Sequence, residues 1–293
     1  MKKYSKDKLI RKRWIKFLII LLIVIIVSLI SLVIYINVIN HFVYDDINND
    51  AIHISDEKAQ ESTPIILNNI VIGAVYKNEW TSCTRYYNKS KIKEKTEMEL
   101  FTSKGKAGVF NLEVVNQING NVVGFTNSTN RISEYIAIIK NENYNYLPMT
   151  KIVDYESKAD DYNSKIKEAL GLYNILNDSI QINNVYEACI NAGENVTLLE
   201  VTSSKENKNG AYSTLIMIDG KGNPSVVKYN YIKNRDKAED FKIYNIKFVL
   251  DLNNDLKNEL VIQEVDEFET KYSVLEYRNN KFVTVLNEVI KNK

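Results

Sequence analysis

The chain has 293 residues, with 38 Lys and Arg against 37 Asp and Glu, and 45% hydrophobic content. That is ordinary for one or two globular domains with a sizeable core. The charge balance hides a split. The first 16 residues carry eight cations, from Lys2 to Lys16, against the single acid Asp7, so the rest of the chain is net acidic. An acidic body argues against nucleic acid as a partner, because phosphate binding needs a basic face.

Lys, Asn, Ile and Tyr are abundant while Pro, Gly and Trp are scarce. These preferences follow AT-rich codons and point to a low-GC bacterium. They also make chance matches to Asn- and Lys-based motifs common.

Residues 1–16 read as a cytoplasmic basic tail. Phe17 to Ile39, FLIILLIVIIVSLISLVIYINVI, follows without a charge over 23 residues. A helix rises about 1.5 Å per residue, so roughly 20 residues cross the bilayer core. The cations before it place the N-terminus in the cytoplasm by the positive-inside rule. The apolar run exceeds a signal peptide's core, and no small-x-small cleavage site follows it. The expectation is a signal anchor in the cell membrane at 17–39, single-pass, with the C-terminal domain extracellular.

Residues 40–63 read as a polar stalk. It contains His41 and His53, the chain's two histidines. The ectodomain beyond them therefore lacks the imidazole needed for Ser-His-Asp or Cys-His catalysis and for HExxH zinc sites.

Residues 64–150 read as a small antiparallel β lobe, a barrel or sandwich. Five period-two runs are expected as strands: Asn69–Tyr76, Thr96–Thr102, Ala107–Val115, Asn121–Thr126 and Glu134–Lys140. The connections SKGK and QINGN suit hairpins. Residues 151–293 begin with a change of period. Tyr162, Ile166, Ala169, Leu170, Tyr173 and Leu176 fall at helical spacing, so one amphipathic helix is expected at about 160–176, with Asp160 or Asp161 at its start.

Two sets of four strands follow. The first is NNVYEACI, NVTLLEVT, AYSTLIMI and PSVVKYNYI; the second is DFKIYNIKFVL, ELVIQEV, KYSVLEYR and KFVTVLNEV. Asn279–Asn280 offers a two-residue hairpin turn in the second. Each set reads as a four-stranded meander, the unit of a propeller blade. The expected fold is mainly β, with one transmembrane helix, one amphipathic helix and two propeller-blade-like meanders.

Within the second meander, DLNNDLKNELVIQE places oxygen donors at alternate positions. Asp251, Asn253, Asp255 and Glu259 offer side-chain oxygens, and Lys257 offers a backbone carbonyl. Calcium takes six to eight oxygens, and short loops supply them in such a pattern. With its flanking strands this stretch resembles the calcium loop of FG-GAP (also called VCBS) repeats, Asp-x-Asp/Asn-Gly-Asp-Gly-x-x-Asp/Glu between two strands. The resemblance covers about residues 180–290. It implies a propeller-like extracellular module with a structural calcium held by Asp251, Asn253, Asp255, the Lys257 carbonyl and Glu259. The family's glycines are Asn254 and Leu256 here, and Leu is strained where Gly turns freely. The corresponding stretch of the first unit, EACINAGENVTLLEV, lacks the acidic ligands. On residues alone the loop reads either as a calcium site or as a solvated Asn/Asp turn.

Other motifs have bland readings. Glu264, Asp266, Glu267 and Glu269 read as carboxylates of an exposed strand rather than an acid–base pair. DGKGNP, Asp219 to Pro224, reads as a hairpin turn. Ser164 and Lys167 have the spacing of a Ser-Lys nucleophile pair but fall off the helix's apolar stripe. Asn88, Asn127, Asn177 and Asn195 match the glycosylation acceptor, as chance allows in an Asn-rich chain. Cys83 and Cys189 are either bridged or two thiols.

The function expected first is a non-catalytic, membrane-anchored extracellular binding protein. Its partner would be a surface protein or a glycan, with Tyr86–Tyr87, Tyr229 and Tyr231 as places to look. Alternatives are a membrane-anchored enzyme acting on cell-wall or surface material, or a regulatory subunit for a membrane partner.

Overall fold

The computed structural model describes residues 63–76, 79–81, 96–118, 121–126, 132, 134–139, 146–171, 180–191, 193–203, 210–232 and 241–291. The basic tail, the apolar segment 17–39, all of the expected stalk before Thr63, Cys83, Tyr86–Tyr87, Asn88, Asn127 and Asn177 lie outside the described residues. Among the described residues, no helix is long and apolar enough to cross a membrane.

Seven strands build the first sheet: β1 (Thr63–Leu67), β2 (Ile70–Tyr76), β3 (Glu79–Thr81), β4 (Glu97–Thr102), β5 (Gly105–Ile118), β6 (Asn121–Thr126) and β7 (Ile136–Ile139). Their order is β1-β7-β4-β5-β6-β2-β3, and β1 also pairs with β2. Six strands therefore close on themselves, and β3 is appended to β2. All five expected strands are present. β1 and β3 are additional, and β1 starts at the residue where the stalk was expected to end.

Closure sorts side chains by parity. Ile66 of β1, Met98 and Leu100 of β4 and Ala137 of β7 fill the ring's own cluster with Val71, Leu112 and Tyr135. Their neighbours Ile65, Leu67, Phe101, Ile136 and Ile138 belong to a second cluster outside it. Fully burying a side chain of this size stabilises by roughly 1.5–3 kcal/mol, so two apolar faces per strand commit the ring to a neighbour.

That neighbour is a four-stranded meander of β13 (Ile243–Leu250), β14 (Glu259–Val265), β15 (Glu269–Arg278) and β16 (Lys281–Lys291), in sheet order β13-β14-β15-β16. Phe248, Leu250, Val261, Tyr272, Val274 and Leu286 pack on the ring's outer face. The approach is close at Gly73 of β2, where an added Cβ would lie 2.4 Å from the Leu286 side chain.

The meander's other face meets a five-stranded sheet, ordered β12-β11-β10-β9-β8. Its strands are β8 (Thr150–Lys151), β9 (Ile180–Asn191), β10 (Glu194–Ser203), β11 (Ala211–Ile218) and β12 (Pro224–Ile232). Ala188, Ile190, Val196, Leu198, Leu215 and Met217 pack against Tyr244, Ile246, Val249, Leu260, Ile262 and Leu275. Both expected meanders are thus present, stacked face to face, and β8 adds an edge to the first.

The helix α1 (Ala159–Gly171) covers the remaining face of the five-stranded sheet. Tyr162, Ile166, Ala169 and Leu170 pack on Val185, Leu199, Tyr212 and Ile216, so the apolar stripe docks on its own sheet. Asp160 and Asp161 sit in its first turn, favourable for the helix dipole. Tyr173 and Leu176 lie outside the described residues. Covered on both faces, β11 is buried along its whole length.

Candidate functional site

The loop Asp251–Asn258 joins β13 to β14, and both its ends are fixed. Leu252 is buried in the cluster facing the ring. Asn258 clamps the other end to β9, its N–H donating to the Ile190 carbonyl at 2.8 Å and its Nδ2 to the Cys189 carbonyl at 2.6 Å.

Between those anchors the backbone turns twice through the left-handed region, at Asn254 (φ 64°) and Leu256 (φ 68°). These are the two positions where the resembled loop has glycine. Asn enters that region with little strain, whereas Leu does not. Leu256 adopts it with its side chain 80% exposed.

The double turn wraps the chain around its own oxygens. Asp251 Oδ1 accepts the Asp255 N–H at 3.2 Å and Oδ2 the Leu256 N–H at 2.9 Å. Asn253 Oδ1 also accepts from Asp255 N–H at 3.0 Å, and Asp255 Oδ1 accepts from Lys257 N–H at 2.9 Å. Glu259, directly after the loop, turns one oxygen back. Its Oε2 accepts the Leu252 N–H at 2.8 Å.

Its other oxygen, Oε1, is buried and has no hydrogen-bond partner, in a side chain that is 0% exposed. A buried acceptor left without a partner costs on the order of 1–3 kcal/mol. Burial pushes the Glu259 carboxyl up to about 9; the Leu252 N–H opposes this, and the charges of Asp255, Asp251 and Glu276 add to it. Asp251 is 1% exposed, and burial raises its pKa too, against the Leu256 and Asn254 N–H groups that lower it.

Of the five expected ligands, Asp251, Asn253 and Glu259 are buried, Asp255 is half-buried and Lys257 is exposed. Among the described residues no three His, Cys, Asp or Glu side chains form a ready-made metal cluster. The donors fit a hard cation chemically, because all are oxygens and one is buried without a partner.

Neighbours missed by the sequence reading ring the loop. Glu276 of β15 accepts from Trp80 Nε1 at 3.0 Å, tying β3 to the meander, and from Arg278 Nε at 2.7 Å. The Arg278 hydrogen bond holds Glu276 below the usual carboxylate range. Arg278 also feels the charges of Asp255 and Glu259. The isolated Trp in EWT was the one available signal, since a buried indole N–H seeks an acceptor.

Beside the loop, three turns share a groove of about 580 Å³ lined by Gly193 and Glu194, Asp219 to Lys221, Asn223 to Ser225, Tyr277 and Asn280. The expected DGKGNP turn is one of its walls. Asp219 gathers the Lys221 N–H, the Asn223 N–H and Asn223 Nδ2, all within 2.9 Å, and the Asn223 amide holds its carboxyl low.

The remaining candidates are dispersed. Ser164 and Lys167 are exposed on α1. Glu264 lies 3.7 Å from Lys228 and accepts from Ser273, while Asp266 caps its turn by taking the Phe268 and Glu269 N–H groups. Tyr229 and Tyr231 are partly exposed on β12. Cys189 is a free thiol, its Sγ 2.8 Å from the Asn191 carbonyl.

Compared with known proteins, the chain matches no family model, no curated protein and no solved structure. Among the described residues, fold and site together define a mainly β protein of three antiparallel sheets and one α-helix, with an oxygen-lined loop and a groove at one end of its stacked meanders.

Proposed function

We propose that this is a non-catalytic, membrane-anchored extracellular binding protein whose Asp251–Glu259 loop takes a structural calcium ion. The buried, unpartnered Oε1 of Glu259 carries the metal part of the reading. Asp251, Asn253, Asp255, the Lys257 carbonyl and Glu259 would hold the ion. Its charge would compensate carboxylates that burial otherwise penalises. The left-handed backbone at Asn254 and Leu256 supports the likeness to an FG-GAP-type loop, and the face-to-face meanders fit a pair of blade-like units. The uncharged 17–39 segment behind a basic tail supports the anchor.

The test is thermal unfolding of the full chain in detergent, in chelator and in millimolar calcium. Calcium at a hundredfold excess over Kd adds about 2.7 kcal/mol, or roughly 5–10 °C for a domain of this size. Asp251→Ala should abolish the shift. Glu259→Gln should abolish it as well, and near neutral pH in chelator it should melt close to the parent protein, whose Glu259 carboxyl burial already holds neutral. A parent protein that melts identically in both buffers refutes the calcium reading.

A further inference from the structure

The groove beside the loop has chemistry that the loop does not use. It is framed by turns, not by strand edges: Gly193 follows β9, Asp219 to Asn223 join β11 to β12, and Asn280 belongs to the β15–β16 turn. Backbone ladders end at such turns, so an extended peptide would find no edge on which to add a strand. The charged side chains Glu194, Asp219 and Lys221 leave a single net negative charge, which disfavours phosphates and polyanions.

Asp219 already accepts three N–H groups of its own turn. Glu194 Oε2 takes Asn191 Nδ2 at 2.9 Å from behind. The groove thus presents oriented carboxylate and carboxamide groups rather than a cluster of bare charges. Asn223 and Asn280 add amides that both donate and accept.

Tyr277 supplies the one aromatic ring. It packs on Phe282 with centroids 5.2 Å apart, which fixes its plane. Tyr277 lines the groove together with Glu194 and Asp219, so the ring sits among its polar walls. A fixed amphipathic ring beside alternating donors and acceptors suits a ligand with apolar C–H faces and many hydroxyls. The volume lies within the range of small-ligand sites.

We propose that this groove is a saccharide-binding site for neutral or N-acetylated pyranose chains, with the sugar stacked on Tyr277 and its hydroxyls bound by Glu194, Asn223 and Asn280. It rests on the reading of the chain as a binding protein and names the site and ligand class.

The test is calorimetric titration of the full chain in detergent with chitotetraose, cellotetraose and maltotetraose, and with tetralysine as the cationic comparator. The three sugars separate N-acetylated, β-linked and α-linked recognition. At least one should bind. Tyr277→Ala should weaken it about tenfold, the equivalent of ~1.4 kcal/mol. Glu194→Gln and Asn280→Gly should each weaken it several-fold without lowering the protein's melting temperature, which guards against misfolding of the Tyr277 variant. The proposal is overturned if no tetrasaccharide binds, if binding survives all three substitutions, or if tetralysine binds instead and Glu194→Gln removes it. Calcium-dependent melting in the same samples separates the two readings. A calcium shift without sugar binding sinks the groove alone, and sugar binding without a shift sinks the calcium alone.

Discussion

Leu256 combines two unfavourable features: its side chain is 80% exposed and its backbone sits at φ 68°. The left-handed conformation costs an L-residue with a Cβ roughly 1–2 kcal/mol, so something else must hold it. The buried Leu252 on one side and the Asn258 clamp on the other do so, and Asp251 takes the Leu256 N–H that the turn brings inward. Leu256→Gly should therefore stabilise the protein by about 1 kcal/mol in urea unfolding, while Leu256→Ala should change little, since the Cβ is the source of strain. Equal effects of the two would place the cost in the exposed isobutyl group instead. The donor spacing of this loop was legible in the sequence, because alternate oxygens followed by an apolar run constrain few alternatives. The burial of Glu259 was not, because a carboxylate that opens a strand is ordinarily at the surface.

Turn chemistry decided several elements, and it was partly legible. Asn279 and Asn280 adopt φ 51° and 63°, the doubly left-handed turn expected of a two-residue hairpin. Asn68 and Asn69, at φ 47° and 69°, form the same turn between β1 and β2. That one was missed because the five-residue TPIIL run is too short and continuously apolar to show a period of two, and the first strand was expected to begin at Asn69 itself. The two turns should respond oppositely to glycine. Asn280→Gly should stabilise by a few tenths of a kcal/mol, as Asn-Gly is the preferred pair. Asn69→Gly should destabilise by about 1 kcal/mol, because Asn69 Oδ1 accepts the Tyr135 hydroxyl and anchors β1 to the segment before β7. Urea unfolding of the two variants with the same sign would mean that turn preference alone governs both. In β13 the pattern itself misleads. Tyr244, Ile246, Phe248 and Leu250 alternate without a break, as if on one face. A register shift between Ile246 and Phe248 sends the first two toward the five-stranded sheet and the last two toward the ring. Lys247, the residue left over, reaches Glu134 beside the ring at 2.9 Å.

At the scale of the molecule, ring closure and layer order depend on contacts between distant residues. β1 meets β7 across some seventy residues, at Ile66 and Ala137, and no local period announces it. The meanders were legible because each strand pairs with the next; their stacking was not. Several polar contacts cross that stack, and one of them is made by a buried carboxylate. Glu200 of β10 reaches the backbone N–H of Ile246, beside the β13 bulge, and also accepts from Asn184 Nδ2. It is 2% exposed, and burial raises its pKa despite these hydrogen bonds and the nearby Lys247 and Lys151. The folded protein therefore holds this proton more tightly than the unfolded chain does. The resulting stability is complete below the ordinary carboxylate pKa of 4.5 and is lost as pH rises through the raised folded value. Glu200→Gln keeps an oxygen for Ile246 and, after rotation of the Asn184 amide, a partner for its own N–H, but it has no proton to lose. The variant's melting temperature relative to the parent should rise steadily from pH 4 to neutrality, with the parent the more pH-sensitive of the two. A difference that is constant across that range would show that Glu200 enters the folded state with the same proton affinity it has in the unfolded chain. The contact between the sheets would then be an ordinary hydrogen bond and not a buried charge held at their interface.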